Sequence, residues 1–121
     1  MPTYKSFEDL HCYSKCRQVR NWIHQFIIGI NLQDRDIIQN IRRAGRSTTR
    51  NIAEGFGRQH YKENIQFCKI AVGSLHEILD DLNIMEDEEL CSKDGLEIGR
   101  ILIYEALKST NGYIAYLRTL T

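Results

Sequence analysis

The sequence predicts an all-α fold, an antiparallel up-down-up-down four-helix bundle that occupies residues 1–121 as a single domain. Three observations carry that prediction. Apolar residues recur at spacings of three and four over four long stretches. Turn residues are scarce, with one proline (Pro2) and eight glycines, far fewer than a chain of short strands would need. A length of 121 residues gives room for one domain with a real core and not comfortably for two.

The first helix is expected to open at Ser6, whose hydroxyl can cap the free amides of the first turn, with Glu8 and Asp9 well placed for the dipole. Its apolar stripe runs through Phe7, Leu10, Tyr13, Cys16, Val19, Ile23, Phe26, Ile27 and Ile30. Gly29 and Asn31 weaken its end. The second helix starts after Asp34 and carries Ile37, Ile38, Ile41, Ala44, Thr48, Ile52 and Phe56. Its middle is small, at Ala44, Gly45, Ser47, Thr48 and Thr49, so another helix can approach closely, from the same chain or a neighbour. Gly55 and Gly57 bracket Phe56 and are expected to end this helix, glycine being free to take the left-handed capping conformation. The third helix spans residues 61–85, with Ile65, Cys68, Val72, Leu75, Ile78 or Leu79, Leu82 and Met85 on its face. An acidic turn over 86–94 follows. Ser92 is placed to cap the fourth helix, which carries Leu96, Gly99, Ile103, Leu107, Thr110, Ile114 and Leu117.

Lys and Arg equal Asp and Glu at sixteen each, so the chain lacks the basic excess of a dedicated nucleic-acid-binding domain. The charge is nonetheless segregated. Residues 35–58 hold six arginines against two acids, and residues 77–97 hold nine acids against Lys93. No apolar run approaches the ~20 residues of a membrane span. The opening residues lack both the apolar stretch and the cleavage site of a signal peptide, so a cytoplasmic location is expected. Cys12, Cys16, Cys68 and Cys91 have no secreted-scaffold spacing and read as free thiols.

Catalytic chemistry finds little to stand on. His11, His24, His60, His76 and the four cysteines form no metal signature, and the paired Glu-x-x-His of di-iron bundles is missing. Gly55-Phe56-Gly57-Arg58 is no phosphate loop, since no strand precedes it. No Ser or Cys sits in a nucleophile motif. The expectation is therefore a protein that is not an enzyme, without catalytic residues, metal or cofactor.

The arginine cluster is the most informative feature. Arg42, Arg46 and Arg50 stand four residues apart on one helix face, and Arg43 extends that face sideways. Like charges at this spacing cost roughly 0.2–0.5 kcal/mol per pair, which something must offset. Three readings compete: a solvated face or one paired with Glu77, Asp80 or Asp81; an oligomer interface; and a phosphate-binding surface.

At this point a family resemblance emerges. Ile41-Arg42-Arg43-Ala44, then Asn51-Ile52-Ala53-Glu54-Gly55, then Gly57-Arg58 resemble the signature of small bacterial four-helix proteins encoded in intervening sequences of large-subunit ribosomal RNA genes. Phe7-Glu8-Asp9-Leu10 and Ala71-Val72-Gly73-Ser74-Leu75-His76-Glu77 are similar to further family patterns. The resemblance implies a homopentamer of four-helix protomers. It also implies kinship with the accessory protein of diversity-generating retroelements, which binds a reverse transcriptase and nucleic acid through a basic surface. Where the family commonly has Ile-Pro before its Asn-Ile-Ala-Glu-Gly run, this chain has Thr48-Thr49, so a less kinked second helix is expected. Asn51, Glu54, Gly55, Gly57 and Arg58 have a structural reading: Asn51 bonding backbone, Gly55 allowing the chain to turn, Glu54 pairing with an arginine such as Arg50.

These readings converge on a homo-oligomeric scaffold, a pentamer by the resemblance, that engages a partner through Arg42, Arg43, Arg46 and Arg50. Besides further copies of the chain, the partner expected is nucleic acid or a reverse-transcriptase-like protein, with no membrane involved. The alternative is a nucleic-acid-binding accessory factor or chaperone for reverse transcription.

Overall fold

In the computed structural model, which describes residues 4–121, the chain forms four long helices: α1 (His11–Ile30), α2 (Arg35–Gly57), α3 (Tyr61–Asp87) and α4 (Lys93–Thr119). A single 3-10 turn, Phe7–Asp9, precedes them. Each helix packs on its two neighbours around a ring, α1 on α2, α2 on α3, α3 on α4 and α4 back on α1. The pairings fix the directions. Ser47 meets Ser74 and Gly55 meets Asn64, so α2 and α3 run oppositely. His11 meets Ser109 and Gly95 meets Phe26, so α1 and α4 do too. The arrangement is the antiparallel four-helix bundle that the sequence predicts.

Along the bundle axis the core stacks Leu10, Val19, Ile23, Ile41, Ile52, Leu75, Ile78, Leu82, Met85, Leu96 and Ile103, each almost fully buried. A smaller cluster of Ile65, Cys68, Ile114 and Leu117 fills the end where α3 begins and α4 finishes. Full burial of such a side chain contributes about 1.5–3 kcal/mol, so the alternating three-and-four spacing of the stripes is the main source of stability.

The helix ends follow local hydrogen bonding, with two departures from expectation. Asp34 and Ser92 cap α2 and α4, accepting from the amides of Ile37 and Gly95. Ser6, by contrast, caps only the 3-10 turn, in a reciprocal pair with Asp9. The chain then straightens at Leu10 (φ −75°, ψ 131°), which drives that side chain into the core before α1 starts. The second departure concerns the glycines, since neither Gly55 nor Gly57 takes the left-handed conformation. Gln59 does so after α2 (φ 56°), as do Asn31 after α1 and Glu89 after α3. His60 then caps α3, its Nδ1 accepting from the amide of Glu63.

Candidate functional site on the arginine-bearing helix

Helix α2 presents two chemically opposite sides. Ile37, Ile41, Ala44, Thr48 and Ile52 face the core, while Arg43, Arg46 and Arg50 are exposed and Arg42 is half-buried at the border. With Thr48 and Thr49 in its middle, α2 is an uninterrupted helix over 23 residues. Both hydroxyls return to the backbone, Thr48 Oγ1 donating to the Gly45 carbonyl at 2.7 Å and Thr49 Oγ1 to that of Arg46 at 3.3 Å.

Two grooves flank this helix. One lies between α1 and α2, holds about 220 Å³, and is lined by Arg20, Asn21, His24, Gln25, Arg42 and Arg46 over a floor of Ile23 and Gly45. The other runs along Ile38, Gln39, Arg42, Arg43, Arg46 and Arg50. Arg42 belongs to both. Its Nε is buried and has no acceptor among the described residues. Arg20 is held in place from the α1 side, its Nη1 donating to Thr49 Oγ1 at 3.0 Å.

The acids that could neutralise the face do so only at a distance. Among the described residues no carboxylate forms an ion pair with Arg42, Arg43, Arg46 or Arg50, and the ion pairs present lie elsewhere: Lys15–Glu105, Arg58–Glu54 and Arg100–Glu86. Arg43 instead donates to Asn40 Oδ1 at 2.9 Å. Asp81 on α3 is only 5% exposed, and its Oδ2 has no hydrogen-bond partner among the described residues. Burial pushes its carboxyl up to about 6, the charges of Glu77 and Asp80 push the same way, and Arg43 opposes them.

The residues that follow the arginines fasten α2 to α3. Asn51 Nδ2 donates to the Ser47 carbonyl at 2.8 Å and to Ser47 Oγ at 2.9 Å, and Ser47 Oγ accepts from Ser74 Oγ at 2.9 Å. Gly55 is a point of close approach rather than a turn. A Cβ there would stand 2.7 Å from Asn64 Oδ1 and 2.9 Å from Phe67 Cβ. Glu54 pairs with Arg58 at 3.0 Å and not with Arg50, the acid-first order at i, i+4 being the better one. The Arg58 guanidinium also lies over the Phe67 ring, 5.2 Å from its centre. Gly57 has open space around it. Asn64, which the sequence reading passed over, is buried and joins the third helix to the fourth by donating to Tyr113 Oη at 3.1 Å. A polar residue four positions before Cys68 in an otherwise apolar stripe was the available signal.

The cysteines gather in the core without becoming reactive. Cys12, Cys16 and Cys68 are buried, and burial pushes all three thiols up, Cys16 to about 11 and Cys68 to about 12. Among the described residues, no three or more His, Cys, Asp or Glu side chains are grouped to hold a metal ion. No helix of the described residues is long and apolar enough to cross a membrane.

Comparison with known families gives the decisive match. The model of the 23S rRNA-intervening sequence protein family covers residues 8–112. The chain belongs to this family. The match takes in α1, α2, α3 and most of α4, and with them the whole arginine face and both flanking grooves. No curated protein is matched by the sequence. In this 23S rRNA-intervening sequence protein, residues 51–58 form the last turns of α2 and its cap, next to the arginines, with Asn51 bonded back to Ser47 and Gly55 packed on Asn64 and Phe67 of α3.

Proposed function

We propose that this 23S rRNA-intervening sequence protein is a non-enzymatic, homo-oligomeric scaffold, a pentamer, that engages a partner through Arg42, Arg43, Arg46 and Arg50. The observation that carries the reading is the absence of any ion pair to these four arginines among the described residues. A face that repels itself and has no ion-paired carboxylate, only the influence of Asp81 on Arg43, is suited to a partner that brings counter-charge. Self-association has separate support from an apolar ridge on α4, where Ile98, Ile101 and Tyr104 are 60%, 54% and 61% exposed. Light scattering and native mass spectrometry of the wild type and of the fourfold Arg→Ala variant test the reading. A monomer in the wild type removes the oligomer. A variant of unchanged mass that still captures the same partner removes the role of the arginines.

A second reading, a nucleic-acid-binding accessory factor for reverse transcription, is favoured by one observation. The groove beside Gly45 adds Arg20 and His24 to Arg42 and Arg46 with no acid in its lining. It predicts RNA affinity that falls with salt at a log–log slope of about −0.7 per phosphate neutralised. Fluorescence anisotropy at two salt concentrations measures that slope, and a flat response removes the reading.

A further inference from the structure

The groove between α1 and α2 has the make-up of a binding site for one small anion. Three arginines, Arg20, Arg42 and Arg46, line it together with His24, Asn21 and Gln25, and no acidic residue does. Its volume of about 220 Å³ lies below the roughly 300–1,000 Å³ of sites that enclose drug-sized ligands. The donors are partly prearranged. Arg20 is anchored on Thr49 Oγ1, and the buried Arg42 Nε has no acceptor among the described residues. A buried donor without a partner is costly, and because Arg42 lines this groove an acceptor bound here is one means of supplying that partner. At the floor Gly45 lets α1 and α2 approach closely, since a Cβ there would come within 3.0 Å of Ile23 Cδ1 and 3.7 Å of Arg20 Cα.

We infer that this groove binds a phosphoryl oxyanion, with Arg20, Arg42 and Arg46 as the primary donors and Asn21 and Gln25 in support. The donor count separates phosphate from carboxylate. Three guanidinium forks and two amides offer more N–H groups than two carboxylate oxygens can accept, whereas a phosphoryl group presents three or more acceptor oxygens and a larger charge. The phosphoryl group comes either from a free phosphate ligand or from a nucleic-acid backbone. The inference deepens the partner reading of α2 and rests on that reading for Arg42 and Arg46, but it is independent of oligomeric state.

The full chain is titrated with inorganic phosphate and with pyrophosphate by calorimetry, and with a labelled single-stranded RNA by anisotropy. Two charge-matched double variants accompany it. Arg42→Gln with Arg46→Gln strips the groove, and Arg43→Gln with Arg50→Gln removes the same charge from outside it. The first pair is expected to weaken phosphate binding by about tenfold or more and the second by about threefold or less, the difference between losing direct charge-assisted bonds and losing distant charge. Arg20→Lys keeps the charge but loses the fork, and it is expected to weaken binding as well. Thermal melting establishes that each variant is folded. RNA binding that phosphate displaces assigns the groove to a nucleic-acid backbone, and phosphate binding without RNA binding assigns it to a free ligand. Equal losses from both pairs, or no phosphate binding by the wild type, overturn the groove. Neither result touches the scaffold reading, which is judged by assembly mass.

Discussion

Asp81 is a carboxylate in a poor place. It is buried on α3, one oxygen has no partner among the described residues, Glu77 and Asp80 share its helix, and the charge of Arg43 favours its ionisation. Because its folded pKa is raised to about 6, the native state holds this proton more tightly than the unfolded chain does. Its contribution to stability is complete below the ordinary aspartate pKa and disappears as pH rises through about 6. Asp81→Asn is expected to stabilise the fold at pH 8 by about 1 kcal/mol and to flatten the decline across this window, as read from urea denaturation at several pH values. Arg43→Ala should move the Asp81 pKa further up, which an NMR titration of the carboxyl resolves.

The thiols make a second prediction at the same scale. Cys12, Cys16 and Cys68 are buried with their thiols pushed up by desolvation, so they carry almost no thiolate at neutral pH. Cys91 is only half-buried, and Arg100 works against the burial that raises it. A thiol reagent is expected to modify one cysteine in the native protein and all four in denaturant. Rapid native labelling of three or more would show that the core opens readily.

At the scale of the helices, glycines divide into two kinds. Gly55 lies against Asn64 and Phe67, and a Cβ on Gly99 would stand 2.6 Å from Trp22 Cζ2 and Cζ3. Gly73 and Gly112 lie within α3 and α4 with nothing within 4 Å of a built Cβ. Alanine at Gly55 or Gly99 is expected to destabilise by about 1–3 kcal/mol through overpacking. Alanine at Gly73 or Gly112 should stabilise by about 0.5–1 kcal/mol through helix propensity. Thermal unfolding of the four variants separates the kinds, and a loss of assembly in Gly73→Ala or Gly112→Ala would place those positions where copies meet.

The same elements show what the sequence made legible. Helix α2 and its arginines could be read because i, i+4 spacing is a property of one helix, as were its start after Asp34 and the Ser92 cap, whose hydrogen bonds span three residues. The Ser6 start was misread because nothing local marks the extended Leu10, which follows from core packing. His60 as a cap and Gln59 as the left-handed residue were hidden by two nearby glycines that advertise the role more strongly. Arg20 and His24 joined the arginines only through the α1–α2 register. That register is set by Gly45 packing on Ile23, a contact between residues 22 positions apart.

For the whole molecule, the ridge of Ile98, Ile101 and Tyr104 makes a prediction about assembly. It crosses the outer face of α4, and its residues are more than half exposed in the single chain. Ile98→Glu with Ile101→Glu is expected to lower the mass of the assembly while leaving helicity unchanged, measured by light scattering and circular dichroism. An assembly that survives both charges would move the interface to another face.

The ring of contacts also has a consequence for folding speed. Three of the four helix pairs are joined by short turns, but α1 and α4 meet only through partners such as His11 and Ser109, 98 residues apart. Closing that long loop is the slow entropic step, because the chain must be brought around before those contacts reward it. The two ends of the described chain share a cavity, where Tyr4 and Lys5 line the same walls as Leu117 and Leu120. A circular permutant that joins them with a short linker and opens the chain at the left-handed Gln59 would convert the most distant contacts into local ones. It would keep every helix pairing but transfer the long closure from α1–α4 to α2–α3, and a refolding rate that changes in stopped flow would show that the identity of the closing pair sets the barrier.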